Sequence, residues 1–218
     1  MNRFFVLILS LMISCSFAHG QEQRFFYPLS VESGMPHSEV TAIEEDASGF
    51  IWFGTYNGLA RYDGYSLTSI TKDYEYDEYR SLRITSLYCD KEKDLLYIGT
   101  EEDGLKIMDL ETYQICERFW FANSIYTISP GLNGDLWIGT ERGVVRLNYI
   151  DGLHQYRYCE SSLSNVTDII QTNDKTLMAA ASSGIYHIDI NSGHIALITS
   201  GFGRSLYKVN DDSYMLGL

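Results

Sequence analysis

Trp52–Gly64 reads WFGTYNGLARYDG. Three glycines, a threonine, an arginine and an aspartate lie here between two aromatic clusters, a content that suits a phosphate-cradling loop as well as a structural turn. The rest of the chain decides between the two. GFIWFGTYNGLARYD (Gly49–Asp63) returns as DLLYIGTEEDGLKIMD (Asp94–Asp109), as GDLWIGTERGVVRLN (Gly134–Asn148) and, altered, as KTLMAAASSGIYHID (Lys175–Asp189). A fifth copy begins at DSYMLGL (Asp212–Leu218). With Trp52, Tyr97, Trp137, Met178 and Met215 equivalent, the steps are 45, 40, 41 and 37 residues. A period of about forty suits a propeller blade of four short strands.

Each unit has the same grammar. A first strand (EVTAIEED, RITSLYCD, SIYTISP, NVTDIIQT) meets a polar turn, and a near-continuous apolar strand follows (FIWFGT, LLYIGT, DLWIGT, TLMAAA). A glycine-bearing loop leads to a third strand (GLARYD, GLKIMD, GVVRLN, GIYHID), and a less regular fourth closes the unit (YSLTSI, YQICERF, HQYRYC, HIALIT). After residue 20 no segment keeps a 3.6-residue apolar period for three turns, so helix loses to strand. Continuous apolar strands are those of sheets buried on both faces, as between neighbouring blades. The expected fold is all-β: an incomplete β-propeller of four-stranded blades, about four plus part of a fifth. The repeats run approximately over 38–80, 81–122, 123–163, 164–200 and 201–218 within a domain of 21–218. Gly54, Gly99, Gly139 and Ala180 are the small residues that let neighbouring backbones or blades approach. Gly58, Gly104, Gly143 and Gly184 fall where a positive φ is needed.

Residues 1–20, MNRFFVLILSLMISCSFAHG, have a separate logic. Arg3 precedes a ten-residue apolar core and small residues follow, the layout of an export signal cleaved after Gly20 or Ala18. Ten apolar residues do not span a bilayer. Cys15 after MIS is the minor alternative, a lipid-anchored start. Cleavage removes one positive charge from a chain of formal net charge −13, leaving it more acidic still. Such acidity argues against nucleic acid and anionic membrane as partners, both of which need a basic footprint. Cys89, Cys116 and Cys159 remain, an odd set without a CxxC; they read as small apolar strand residues, and spacing does not select a disulfide.

No catalytic, metal or cofactor constellation is present in the pattern. His37, His154, His187 and His194 form no HxH or HExxH. GFGRS (Gly201–Ser205) lacks the GxGxxG spacing and reads as a loop. The one distinctive non-repeat segment is DYEYDEY (Asp73–Tyr79), which lengthens the first unit by about five residues. Tyr74, Tyr76 and Tyr79 are the candidate ligand-binding residues, as aromatic faces on which a sugar stacks beside carboxylate acceptors. The competing reading is a solvated acidic loop.

SGMPHSEVTAIEEDASGFIWFGTYNGLARYDGYSL (Ser33–Leu67) resembles the two-component regulator propeller repeat, with Met35 where the lead-in usually has Leu. The likeness covers Phe25–Leu218 and is weakest where MAAA replaces the WIGT pattern. It implies the periplasmic sensor propeller of a Bacteroidetes hybrid two-component system, often one responding to polysaccharide breakdown products. The partners implied are a small-molecule or oligosaccharide ligand and the remaining propeller, membrane and kinase domains of a parent sensor. The kinase is absent from this chain, so no enzymatic activity is expected, and a truncated fragment is the expectation. The alternatives are a protein-binding scaffold and an exported lyase or glycosidase, the last requiring carboxylates or His and Arg gathered at the ring axis.

Overall fold

A computed structural model describes residues 28–70, 83–150, 152–160, 162–210 and 213–218. The repeat grammar becomes four antiparallel four-stranded sheets and one two-stranded hairpin. Blade I is β1 (Val40–Glu45), β2 (Ile51–Thr55), β3 (Gly58–Tyr62) and β4 (Leu67–Ser69). Blade II is β5 (Ile84–Asp90), β6 (Leu95–Thr100), β7 (Leu105–Asp109) and β8 (Gln114–Phe119). Blade III is β9 (Ile125–Pro130), β10 (Leu136–Thr140), β11 (Gly143–Ile150) and β12 (Leu153–Glu160). Blade IV is β13 (Asp168–Asn173), β14 (Thr176–Ala181), β15 (Gly184–Asp189) and β16 (Ile195–Ser200), and β17 (Ser205–Asn210) pairs with β18 (Ser213–Gly217). Spatial order follows chain order in every blade, as expected for the all-β propeller. GFGRS is a loop only up to Arg204, since Ser205 opens β17.

The core lies between blades. Trp52 packs with Ile84, Leu96 and Met108 between blades I and II, and Tyr97 with Ile125, Leu136 and Val145 between II and III. Trp137 packs with Val166, Ile169 and Leu177 between III and IV. All three large rings are essentially inaccessible, which demands a partner for each polar tip. Trp52 Nε1 donates to Asp46 Oδ2 at 2.8 Å and Trp137 Nε1 to Gln171 Oε1 at 2.8 Å. The Tyr97 hydroxyl bonds His154 Nε2 at 2.8 Å. Met35, from the lead-in, is buried against Phe53 and Ala60 on the opposite side of blade I.

First strands of successive blades lie side by side, which makes them the inner wall. Three of the four contacts are built the same way; at the joint of blades III and IV the equivalent residue is Tyr126, whose hydroxyl donates instead to Asn165 Oδ1. A register break at Thr41 and another at Thr85 turn these side chains out of their own ladders. Thr41 Oγ1 then donates to Ile84 O at 2.6 Å, Thr85 Oγ1 donates to Ile125 O, and Thr167 Oγ1 donates to Gly203 O at 2.7 Å. At every joint sits the small residue of the preceding apolar strand. A Cβ at Gly54 would lie 2.6 Å from Ile84 Cγ2, one at Gly99 2.8 Å from Ile125 Cγ2, and one at Gly139 2.4 Å from Val166 O. Blade IV has Ala180 at this place, and there the residue opposite is Gly203, where an added Cβ would come to 3.0 Å from that of Ala180. The bulk moves from one side of the joint to the other.

Two turn devices complete the frame. Gly58, Gly104 and Gly143 have φ of 109°, 68° and 116°, as the loop after each apolar strand requires. Asp63, Asp109 and Asp189 fold the turn to the fourth strand by accepting bonds from the residues two or three positions on. These bonds, led by Ser66 N–H, the Thr112 hydroxyl and Ser192 N–H respectively, hold the three carboxyls below the usual carboxylate range. Cys89, Cys116 and Cys159 are free thiols, with Cys89 pushed up to about 11 by burial, which keeps it an unreactive strand residue.

Two outcomes follow from this frame. Gly54→Ala is expected to lower stability by about 1–3 kcal/mol through overpacking against Ile84. In a double-mutant cycle with Ile84→Ala the costs are expected to fall short of additivity; full additivity in urea unfolding would remove the contact as the cause. For the turns, a carboxylate whose folded pKa is depressed contributes stability above its unfolded value of about 3.9 and loses it as pH falls through the folded value. Asp109→Ala is therefore expected to lower the urea midpoint more at pH 7 than in acid below both values.

Candidate functional site

The loops after the apolar strands open on one end of the blades. Thr55, Thr100 and Thr140 each donate Oγ1 to the carbonyl of the loop glycine, Gly58, Gly104 and Gly143, at 2.8, 2.7 and 3.0 Å. The threonine recurs in blades I to III and the glycine in all four, whereas the residues between change: Tyr56–Asn57, Glu101–Asp103, Glu141–Arg142 and, in blade IV after Ala181, Ser182–Ser183. The connections entering each first strand arrive at the same end, shown by bonds from Glu101 N to Arg83 O (3.0 Å), Glu141 N to Ser124 O (3.3 Å) and Ser182 N to Ser164 O (3.2 Å). The repeat-variable residues, apart from the buried Asp103, thus gather on one face, a loop face, while the repeated ones are buried behind it.

An aromatic and charged chain crosses blades I and II on this face. His37 stacks on Tyr56 with centroids 5.6 Å apart and planes at 20°. The Arg83 guanidinium lies 4.0 Å from the Tyr56 ring centroid, donates to its hydroxyl at 2.8 Å and pairs with the Glu101 carboxylate. Across blades III and IV, Tyr126 OH donates to Asn165 Oδ1 at 3.2 Å. Glu141 accepts from Asn123 N and Ser124 N at 3.0 and 2.9 Å, which pins the connection into blade III. A shallow cavity of about 470 Å³ lined by Glu141, Arg142, Tyr158, Leu163 and Ser164 lies next to it. The Tyr56 phenol is held above its ordinary pKa, first by its bond with Glu39, and Tyr126 by burial, so both stay neutral hydrogen-bonding groups. The arrangement offers ring faces, carboxylate acceptors and hydroxyl donors, and suits binding of polar, ring-shaped ligands.

A second depression of about 230 Å³ lies at the other end, lined by Asp46, Phe50, Asp94, Glu111 and Tyr113 among others. Arg61 packs against two of its lining rings, lying 4.5 Å from the Phe50 centroid and 4.8 Å from that of Tyr113. Asp46 is committed to the turn it folds, accepting from Ser48 N, Phe50 N and Trp52 Nε1. This depression is therefore turn structure first.

Tyr74, Tyr76 and Tyr79 lie outside the described residues, as do the export signal and Cys15. The residues flanking that segment are described: Ile70 donates its N–H to Leu59 O at 2.8 Å, and Arg83 belongs to the aromatic and charged chain. His187 is exposed on β15, and the other sequence-flagged histidines are dispersed. His154 is the exception, a buried side chain between the Tyr97 hydroxyl and the Glu117 carboxylate. Only the pairing of blades II and III brings these three together, so strand pattern alone carries no signal for them. Burial raises the Tyr97 phenol far above its usual pKa, which makes this group a blade-to-blade clamp and not a nucleophile. Among the described residues no group of three or more His, Cys, Asp or Glu has metal-holding geometry, and no helix is long and apolar enough to cross a membrane.

Arg83→Ala is expected to cost about 0.2–1 kcal/mol, the range of a part-exposed pair, with a gap that narrows as salt rises. Melting curves at low and high ionic strength check this; a salt-independent gap would leave ring stacking as the whole contribution.

Residues 34–57 match the family model described as two component regulator propeller. The extracellular domain assigned to the hybrid two component system BT3049 of B. thetaiotaomicron is 20% identical with a TM-score of 0.76, over 88% of this chain and 29% of that one. The β-propeller domain of Cps50 (Swd1) from Myceliophteria thermophila is 16% identical with a TM-score of 0.57, over 78% and 58%. The computationally designed Ika8 protein is 19% identical with a TM-score of 0.58, over 83% and 58%. This chain spans less than a third of the length of the first of these, and the likenesses establish the fold. No curated protein matches the chain significantly. Residues 34–57 thus match the two component regulator propeller repeat, and the chain that carries them has a β-propeller fold: four four-stranded blades and a further two-stranded hairpin among the described residues.

Proposed function

We propose that this chain is a ligand-sensing propeller module of an extracytoplasmic two-component sensor, non-enzymatic and responsive to a carbohydrate-derived signal. The observation that carries the reading is the two component regulator repeat at residues 34–57, seated in blade I beside a loop face of variable polar and aromatic residues. The carbohydrate class is supported by chemistry. Stacked Tyr56 and His37 present ring faces, and the Glu101 and Glu141 carboxylates are the acceptors that sugar hydroxyls need. The acidic tyrosine segment holding Tyr74, Tyr76 and Tyr79 joins blade I to blade II, the pair linked by Arg83. The export-signal pattern of residues 1–20 supports a periplasmic location.

The mechanism is mechanical. A ligand contacting loops of two or more blades favours one relative arrangement of them, and only that differential affinity is available to bias a coupled kinase. Calorimetry of the purified protein against a panel of neutral and acidic oligosaccharides tests the reading. At least one is expected to bind, and replacing Tyr74, Tyr76 and Tyr79 together by Ala is expected to weaken it tenfold or more. No binding across the panel would overturn the carbohydrate class and favour the scaffold reading.

A further inference from the structure

The third strand of each blade carries a residue facing its cross-strand neighbour on the fourth strand at one fixed repeat position. The pairs are Arg61 with Thr68, Ile107 with Glu117, Arg146 with Arg157 and His187 with Ala196. Blade III is the one of these four that opposes two guanidinium groups. Like charges directly across an antiparallel ladder are destabilising, and no excess of cations forces the arrangement here, since 29 acidic residues stand against 16 basic ones.

The two arginines differ in how they are held. Arg146 is part-buried, with a side-chain exposure of 29%. It lies 5.6 Å from the Trp137 ring centroid and gives Nη2 to the Asp135 carboxylate, while its Nε is buried with no hydrogen-bond partner. Asp135 also accepts from Asn148 Nδ2, so its oxygens are divided between two donors. Arg157 is exposed and makes no hydrogen bond or ion pair among the described residues. Lys106 also faces an arginine, Arg118, but Lys106 is fully buried and turned onto Asp103. The Arg146–Arg157 pair instead opens onto a groove of about 360 Å³, continued along the same ladder by Asn148 opposite Gln155 and ending at Ile150.

We propose that this groove on the outer strands of blade III is an oxyanion-binding site, taking a carboxylate or sulfate group borne by an acidic ligand. Arg157 supplies the free guanidinium fork, Arg146 a second positive charge fixed by Asp135 and Trp137, and the Gln155 amide a neutral donor beside them. Guanidinium forks match oxyanion geometry, and an anion between the two arginines turns an unfavourable cross-strand pair into a bridged one. The site lies on a different blade and surface from the chain of His37, Tyr56 and Arg83, so it does not depend on the carbohydrate-sensing reading.

Calorimetric titration of the whole protein at fixed ionic strength tests it, with digalacturonate, inorganic sulfate and neutral cellobiose as probes. Digalacturonate is expected to bind and cellobiose not to compete with it. Binding of sulfate as well would assign the site to the bare oxyanion, and its failure would assign it to an acidic sugar. Arg157→Gln is expected to weaken anion binding tenfold or more, whereas Arg118→Gln, outside the groove, leaves it unchanged. Because Arg157 is exposed and faces a like charge, Arg157→Gln is also expected not to lower the melting temperature in the absence of anion. Equal binding by the wild type and Arg157→Gln, or no binding of either anion, would overturn the proposal.

Discussion

The joints of blade I with II and of II with III rest on a side chain turned out of its own sheet. In an unbroken ladder Thr41 and Thr85 would point along the blade face; the register break re-aims their hydroxyls at a carbonyl of the next blade. A single such bond contributes about 0.5–1.5 kcal/mol, too little to hold two sheets together. Its importance is positional. It holds the first strands within backbone distance, where the rings of Trp52 and Tyr97 reach the strands across from them and exclude water; Trp137 does the same between blades III and IV without such a clasp. Removing water from those rings supplies the larger share of the energy.

Close approach sets what the neighbouring positions can be. With Ile84, Ile125 or Val166 lying this close, the residue facing it has room for hydrogen and no more, which is why Gly54, Gly99 and Gly139 recur. Ala180 looks like decay of the repeat until the opposite residue is considered. Gly203 replaces the β-branched residue there, and the summed volume across the joint stays small. The same unit also has Ala181 where the others have Thr55, Thr100 and Thr140, so its loop lacks the hydroxyl that ties the other three. Blade IV has kept the packing constraint and dropped the loop constraint, and the two are separable.

That separation explains what could be read from the amino acids and what could not. Strand order, the blade count and the glycines with positive φ follow from residues that meet within one repeat, where spacing and turn chemistry carry the information. The threonine clasps were hidden because EVTAIEED and RITSLYCD give no sign of a bulge, and the carbonyl each hydroxyl reaches lies about forty residues away. The exchange of bulk between Ala180 and Gly203 was hidden for the same reason, and so was the clamp of Tyr97, His154 and Glu117. For a ligand, sequence pattern singled out the tyrosines of Asp73–Tyr79, which stand outside the repeat and outside the described residues. It passed over Tyr56, Arg83, Glu101 and Glu141, which sit inside the repeat at places where the pattern tolerates any polar residue.

Tolerance at those places is itself informative. A position that must pack is held to a narrow choice in every copy, whereas the exposed loop positions after each apolar strand vary from blade to blade. Four copies of one frame therefore present four independently variable loops on one face, at distances set by blade spacing and not by the loops themselves. A ligand spanning two such loops reads the separation between blades as well as the side chains. Any shift at the joint of Thr41 with Ile84 moves Tyr56 relative to Glu101, since Arg83, which bridges them, directly precedes Ile84. The packing that makes the blades rigid is thus also what couples the loop face to the arrangement of the blades behind it.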